Sequence, residues 1–113
     1  MNKLITVAVI DSGIYPHIDF KNRIVAFKDF VNGRKNAYDD CGHGTHVSGI
    51  IAGSGYASHG RIRGICPSAC LAGIKVLDRL GNGRIENVLD AAGWIISHQK
   101  DLNIRVVNIS FGA

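Results

Sequence analysis

No stretch of this chain approaches the roughly 18 consecutive apolar residues of a membrane-spanning helix. No run of five or more like charges appears either. Arg61 and Arg63 stand close together, but the net charge over 113 residues is only +4, which argues against a nucleic-acid surface. Cysteine is scarce and odd in number: Cys41, Cys66 and Cys70. None forms a Cys-x-x-Cys unit, and Cys66 and Cys70 straddle Pro67, so neither a disulfide framework nor a structural zinc site is indicated. The glycine fingerprint of a dinucleotide-binding turn is missing after the first apolar run, which continues as Asp11-Ser12-Gly13-Ile14-Tyr15. Internal repeats and low-complexity linkers are absent as well. The first residues, Met1 to Val7, carry one lysine and then apolar side chains without a signal-peptide cleavage site. They read as the start of a core strand.

What remains is an ordinary globular composition, 46% hydrophobic and 19% charged, long enough for one domain. Residues 4–10 form a near-continuous β-branched run, the pattern of a strand buried on both faces of a parallel sheet. Further strands are predicted over 24–30, 70–77 and 104–109. A helix is predicted from His43 to about Ala52, with Val47, Ile50 and Ile51 on its buried face. A clearer helix follows the polar Asp78–Gly83 turn, with Ile85, Val88, Leu89, Ala92, Ile95 and Ile96 as its apolar stripe and Trp94 at the rim. Residues 14–23, 31–41 and 53–69 read as irregular, the second of them as a surface loop with little to pack. Strands alternating with helices give an α/β fold: three layers, with a mainly parallel sheet flanked by helices.

Two features carry chemistry. Asp11 closes the first strand, and in open α/β sheets functional groups gather beyond the carboxyl ends of strands. Taken alone, it is better read as a turn or helix-cap aspartate. The second is Gly42-His43-Gly44-Thr45-His46-Val47-Ser48-Gly49. Histidine is the side chain that titrates near neutral pH, and the flanking glycines admit a close neighbour. An aspartate that orients a histidine, which then serves as base for a serine, is the logic of a catalytic triad.

At these residues the chain resembles the subtilisin-like serine proteases. Val7-Ala8-Val9-Ile10-Asp11-Ser12-Gly13-Ile14 resembles their aspartate motif and His43-Gly44-Thr45-His46-Val47-Ser48-Gly49 their histidine motif. Pro67-Ser68-Ala69 with Ile74-Lys75-Val76-Leu77 resembles the next strand, and Asn108-Ile109-Ser110-Phe111-Gly112 the substrate-binding segment. The resemblance implies that Asp11 orients the imidazole and His43 is the general base. It implies that His46 is a hydrogen-bonded core histidine, that Ser110, Phe111 and Gly112 line the primary specificity pocket, and that Gly81, Asn82 and Gly83 form the edge that pairs with an extended polypeptide substrate. Read without it, Gly81-Asn82-Gly83 is a turn before a helix.

None of the seven serines, Ser12, Ser48, Ser54, Ser58, Ser68, Ser97 and Ser110, lies in the family's nucleophile motif. The expectation is therefore that residues 1–113 are the N-terminal portion of a peptidase catalytic domain, supplying Asp and His but no nucleophile, and inactive alone. The alternative is a protease-derived peptide-binding module. Cut at this point, the strand at 104–110 would expose an edge through which the chain self-associates. No cofactor or metal is assigned. Asp19 falls near a calcium-ligand position of the family, but residues 54–63 lack the asparagine-containing pattern of its strong site. The cysteines tilt localisation toward the cytoplasm over secretion.

Overall fold

The computed structural model describes residues 4–110. Its elements, in chain order, are β1 (Thr6–Asp11), a 3-10 turn (Ile18–Phe20), β2 (Ile24–Asp29), α1 (His43–Ala52), a second 3-10 turn (Tyr56–Ser58), β3 (Cys70–Lys75), α2 (Ile85–His98) and β4 (Ile104–Ile109). The four strands form one sheet in the order β2-β3-β1-β4, and every pairing is parallel. The α/β architecture expected from the alternating pattern is the one observed.

β1 is central and buried along its whole length. Its side chains alternate between two cores, as a period of two requires. Ala8 and Ile10 face a core with Ile74, Val76, Ala91 and Ile95, on the α2 side. Val7 and Val9 face Ile14, Phe20, Ala52 and Leu71, with Val47 and Ile51 of α1 packed against them. The sheet is thus the middle of three layers.

Strand boundaries shift slightly from the sequence reading. β1 begins at Thr6 rather than residue 4, leaving Leu4 and Ile5 exposed, and it runs on to include Asp11. β3 stops at Lys75, two residues early, because the Asp11 carbonyl accepts the N–H groups of both Val76 and Leu77 and turns the chain.

The helix faces differ more. On α1 the buried positions are Gly44, Ser48 and Ala52, and Ile50 is 53% exposed. On α2 they are Ala91 and Ile95, with Val88 and Trp94 packed alongside, whereas Ile85, Leu89 and Ile96 are exposed. An apolar arc wider than the contact with a four-stranded sheet leaves part of itself in solvent. Trp94 stacks on His98 with ring centroids 4.2 Å apart. β4 lies at one edge of the sheet, with Val106, Val107 and Ile109 exposed.

The two glycines of α1 prove unalike. A Cβ on Gly44 would lie 2.2 Å from the Gly13 carbonyl oxygen, whereas one on Gly49 would meet nothing within 4 Å. Gly44→Ala is therefore expected to destabilise the chain by about 2 kcal/mol or more through backbone overpacking. Gly49→Ala is expected to stabilise it by about 0.5–1 kcal/mol through the unfolded state. Urea denaturation of both variants checks the pair, and similar effects from the two would contradict this packing.

Candidate active site

The carboxyl end of β1 and the first turn of α1 meet at one point. Asp11 is fully buried, and both of its carboxylate oxygens lie 2.9 Å from His43 Nδ1. The Ser12 N–H donates to Asp11 Oδ1 at 2.7 Å. The imidazole side chain is 47% exposed, so one ring nitrogen faces a buried carboxylate while the ring itself stays open to solvent. That arrangement favours the tautomer carrying its proton on Nδ1 and leaves Nε2 as an acceptor. Among the described residues no hydroxyl lies within hydrogen-bond distance of Nε2.

α1 starts where it does because of a residue in the 31–41 loop. Its N-cap, Gly42, has φ +97° and makes no side-chain cap. The capping is done by Asp39. Its Oδ1 accepts the N–H groups of Cys41 and Gly42 and the Ser12 hydroxyl. Its Oδ2 accepts both the N–H and the hydroxyl of Thr45. Ser12 Oγ in turn accepts the Gly44 N–H at 2.9 Å, and Thr45 Oγ1 accepts the Tyr15 N–H. One carboxylate thus joins the β1 exit to the α1 entry. Burial pushes the Asp39 carboxyl up, but the hydrogen bonds from Thr45, Gly42 and Ser12 outweigh it and hold it below the usual carboxylate range. An aspartate just ahead of a helix start is a recognisable capping signal, and it could have been read from Asp39.

The rest of the 31–41 segment is also tied down. Burial raises the Asp29 carboxyl, yet hydrogen bonds from Tyr38, Asn32, Val31 and Arg34 bring it below its ordinary value. Arg34 stacks over the Tyr38 ring at 4.6 Å. Far from having little to pack, this loop is the platform beneath the site.

The other expected site residues are placed as follows. His46 is exposed, which corrects the expectation of a core histidine: three residues on from His43, it shares that side of α1. It borders a cavity of about 430 Å³ with His17, Phe20, Ile50 and Ile65. Gly81 and Asn82 form a turn closed on Asp78, which uses both main-chain groups of Asn82. Gly83 bridges antiparallel to Leu77, and all three are exposed. Ser110 follows β4 and is exposed, while Phe111 and Gly112 lie outside the described residues.

The oxygens around Asp19 already take part in hydrogen bonds. Asp19 Oδ1 already accepts the Ala57 N–H. Residues 53–65 contain no carboxylate but do contain His59, Arg61 and Arg63. The carbonyls of Gly53, Gly55, Tyr56 and Ser58 all accept N–H groups from within the loop. Calcium takes six to eight oxygen ligands, and each of these oxygens already accepts at least one N–H.

Geometry and fold define the class, a subtilisin-like α/β serine-peptidase fold. A solved cold-adapted subtilisin-like serine proteinase superposes with TM-score 0.79 at 33% identity, covering 96% of this chain and 37% of that one. The chain belongs to the subtilase family, whose model matches residues 2–113. It is 46% identical over 99 residues to serine protease AprX of Bacillus subtilis (strain 168), covering 88% of this chain and 22% of that protein. It is 41% identical over 110 residues to the minor extracellular protease Epr of the same organism, covering 97% of this chain and 16% of that protein. The chain therefore spans about a fifth of the length of these two relatives.

Because Asp39 is held below the usual carboxylate range, its contribution is present above the unfolded aspartate pKa of about 3.9 and lost as pH falls through its lower folded value. Asp39→Ala is expected to cost about 2 kcal/mol at pH 7, with the difference shrinking as the pH is taken below 4. Denaturant unfolding at the two pH values checks this, and a loss independent of pH would contradict it.

Proposed function

We propose that residues 1–113 supply the aspartate and the general base of a serine endopeptidase, and that the nucleophilic serine comes from a segment outside them. The observation that carries this reading is the buried Asp11 carboxylate set 2.9 Å from His43 Nδ1 with the imidazole open to solvent. Asp11 holds the Nδ1–H tautomer. His43 Nε2 takes the proton of the serine hydroxyl as Oγ attacks the scissile carbonyl, then returns it to the leaving amine as the C–N bond breaks. A water attacks the resulting acyl ester with the same base. All seven serines fall within the described residues, and none reaches His43, which supports an external nucleophile and an inactive isolated chain.

The substrate polypeptide would lie extended beside Gly81–Gly83. In support, these residues are exposed, and two of the three offer no side chain to obstruct a neighbouring strand; main-chain pairing would fall to Gly83 and the Gly81 carbonyl, since Asp78 takes both main-chain groups of Asn82. Leu77, Ile85 and Val88 border an adjoining cavity of about 380 Å³.

In a longer polypeptide that contains this chain and hydrolyses casein, Asp11→Ala and His43→Ala are each expected to lower kcat by about 10⁴-fold or more. The 113-residue chain alone should show no burst with an activated ester; a burst abolished by His43→Ala would overturn the external-nucleophile reading.

The loop at residues 53–64 is, in this reading, held by its own hydrogen bonds and by Asp19 rather than by calcium. Saturating calcium binding at a hundredfold excess over Kd would add about 2.7 kcal/mol, more than 10 °C in Tm for a domain of this size. The expected difference in Tm between excess calcium and a chelator is below about 1 °C. A rise approaching 10 °C that disappears in Asp19→Ala would show a calcium site here.

A further inference from the structure

Lys75 ends β3 with 0% of its surface exposed. Lysine is almost never fully buried unless paired, and an unpartnered ammonium in the interior is strongly unfavourable. Its three donors are matched by three acceptors. Nζ lies 2.7 Å from each of the Ser12 carbonyl, Asp40 Oδ1 and the Leu77 carbonyl, and the Tyr38 ring centroid is 5.2 Å away. The proton relay outlined above makes no use of this residue.

Each of the three acceptors belongs to a different segment that builds the site. Ser12 follows Asp11, and its hydroxyl takes the Gly44 N–H next to His43. Asp40 follows Asp39, the residue that caps α1. Leu77 donates its own N–H to the Asp11 carbonyl. Within the sheet, Lys75 stands opposite Asp11 on β1. The ammonium therefore draws together the exit of β1, the loop that enters α1 and the exit of β3, without touching His43.

We propose that Lys75 is a positioning residue that sets the Asp11 carboxylate against His43 Nδ1 and so fixes the tautomer of the base. The proposal rests on the reading of Asp11 and His43 as an orienting pair. Removing the ammonium leaves both members of the pair in place but frees the two carbonyls and the Asp40 carboxylate that hold their backbones in register.

The test is the ring-15N spectrum of His43 in the chain itself, recorded above the titration of histidine, where the two tautomers have distinct shifts. His17, His46, His59 and His98 serve as internal controls. The wild type is expected to show the Nδ1–H form dominant. Lys75→Met is expected to lose that dominance and move toward the Nε2–H form of free histidine, with the other four histidines unchanged. A Lys75→Met chain that melts lower yet keeps the Nδ1–H form would overturn the proposal and leave Lys75 a purely structural ion. A wild-type spectrum without the Nδ1–H form, or one unaltered by Asp11→Asn, would overturn the orienting pair itself and this proposal with it. If Lys75→Met does not fold, Asp40→Asn carries the test. It removes only the charged acceptor, and a smaller shift in the same direction is expected. An unchanged spectrum would overturn the proposal.

Discussion

The first turn of α1 lies directly on the carboxyl end of β1, and the Gly44 amide donates to Ser12 Oγ at 2.9 Å. No side chain fits between them, since a Cβ on Gly44 would stand 2.2 Å from a backbone oxygen. A buried carboxylate on the strand and an imidazole on the helix can come within hydrogen-bond reach only if the two backbones approach this closely. Helix propensity is given up for it, about 1 kcal/mol for a glycine in place of alanine.

Holding such an approach requires polar groups in a largely apolar setting; those at the junction itself find partners, while Ser48 Oγ, one turn further along α1, is buried without one. Two charges from the segment before α1 do most of this. Asp39 gathers donors from Ser12, Gly42 and Thr45, and Asp40 balances the buried Lys75. Hydrogen bonds to ionised groups are roughly twice as strong as neutral ones, which suits them to closing a junction between elements distant in sequence. The chain belongs to the subtilase family, and the role proposed for the Asp11–His43 pair depends on this junction holding the two side chains together.

Much of this was legible from residue pattern. β1 was visible as a β-branched run ending in an aspartate, and α1 as an apolar period of 3.6 opening at His43. The histidine motif and the aspartate motif carried the family. Illegible were the faces: Ile50, Leu89 and Ile96 match a helical stripe yet stand in solvent, because a stripe states which residues could be buried and not how wide the neighbouring surface is. His46 went the same way, since the first turn of α1 presents that side outward. Residues 31–41 looked like an unremarkable polar loop, because their partners, Ser12, Thr45 and Lys75, sit as far as 35 residues off in the chain.

Residue pattern alone carries the kind and order of the elements, the placement of Asp11 at a strand end and of His43 at a helix start, because periodicity and turn chemistry are local properties. It took the folded arrangement to bring the Asp11 carboxylate to His43 Nδ1 and to make Lys75, written into an apolar strand, a buried cation with three acceptors. Those contacts depend on how closely separate segments pack at the end of the sheet, and the distance between backbones is a property no single stretch of residues carries.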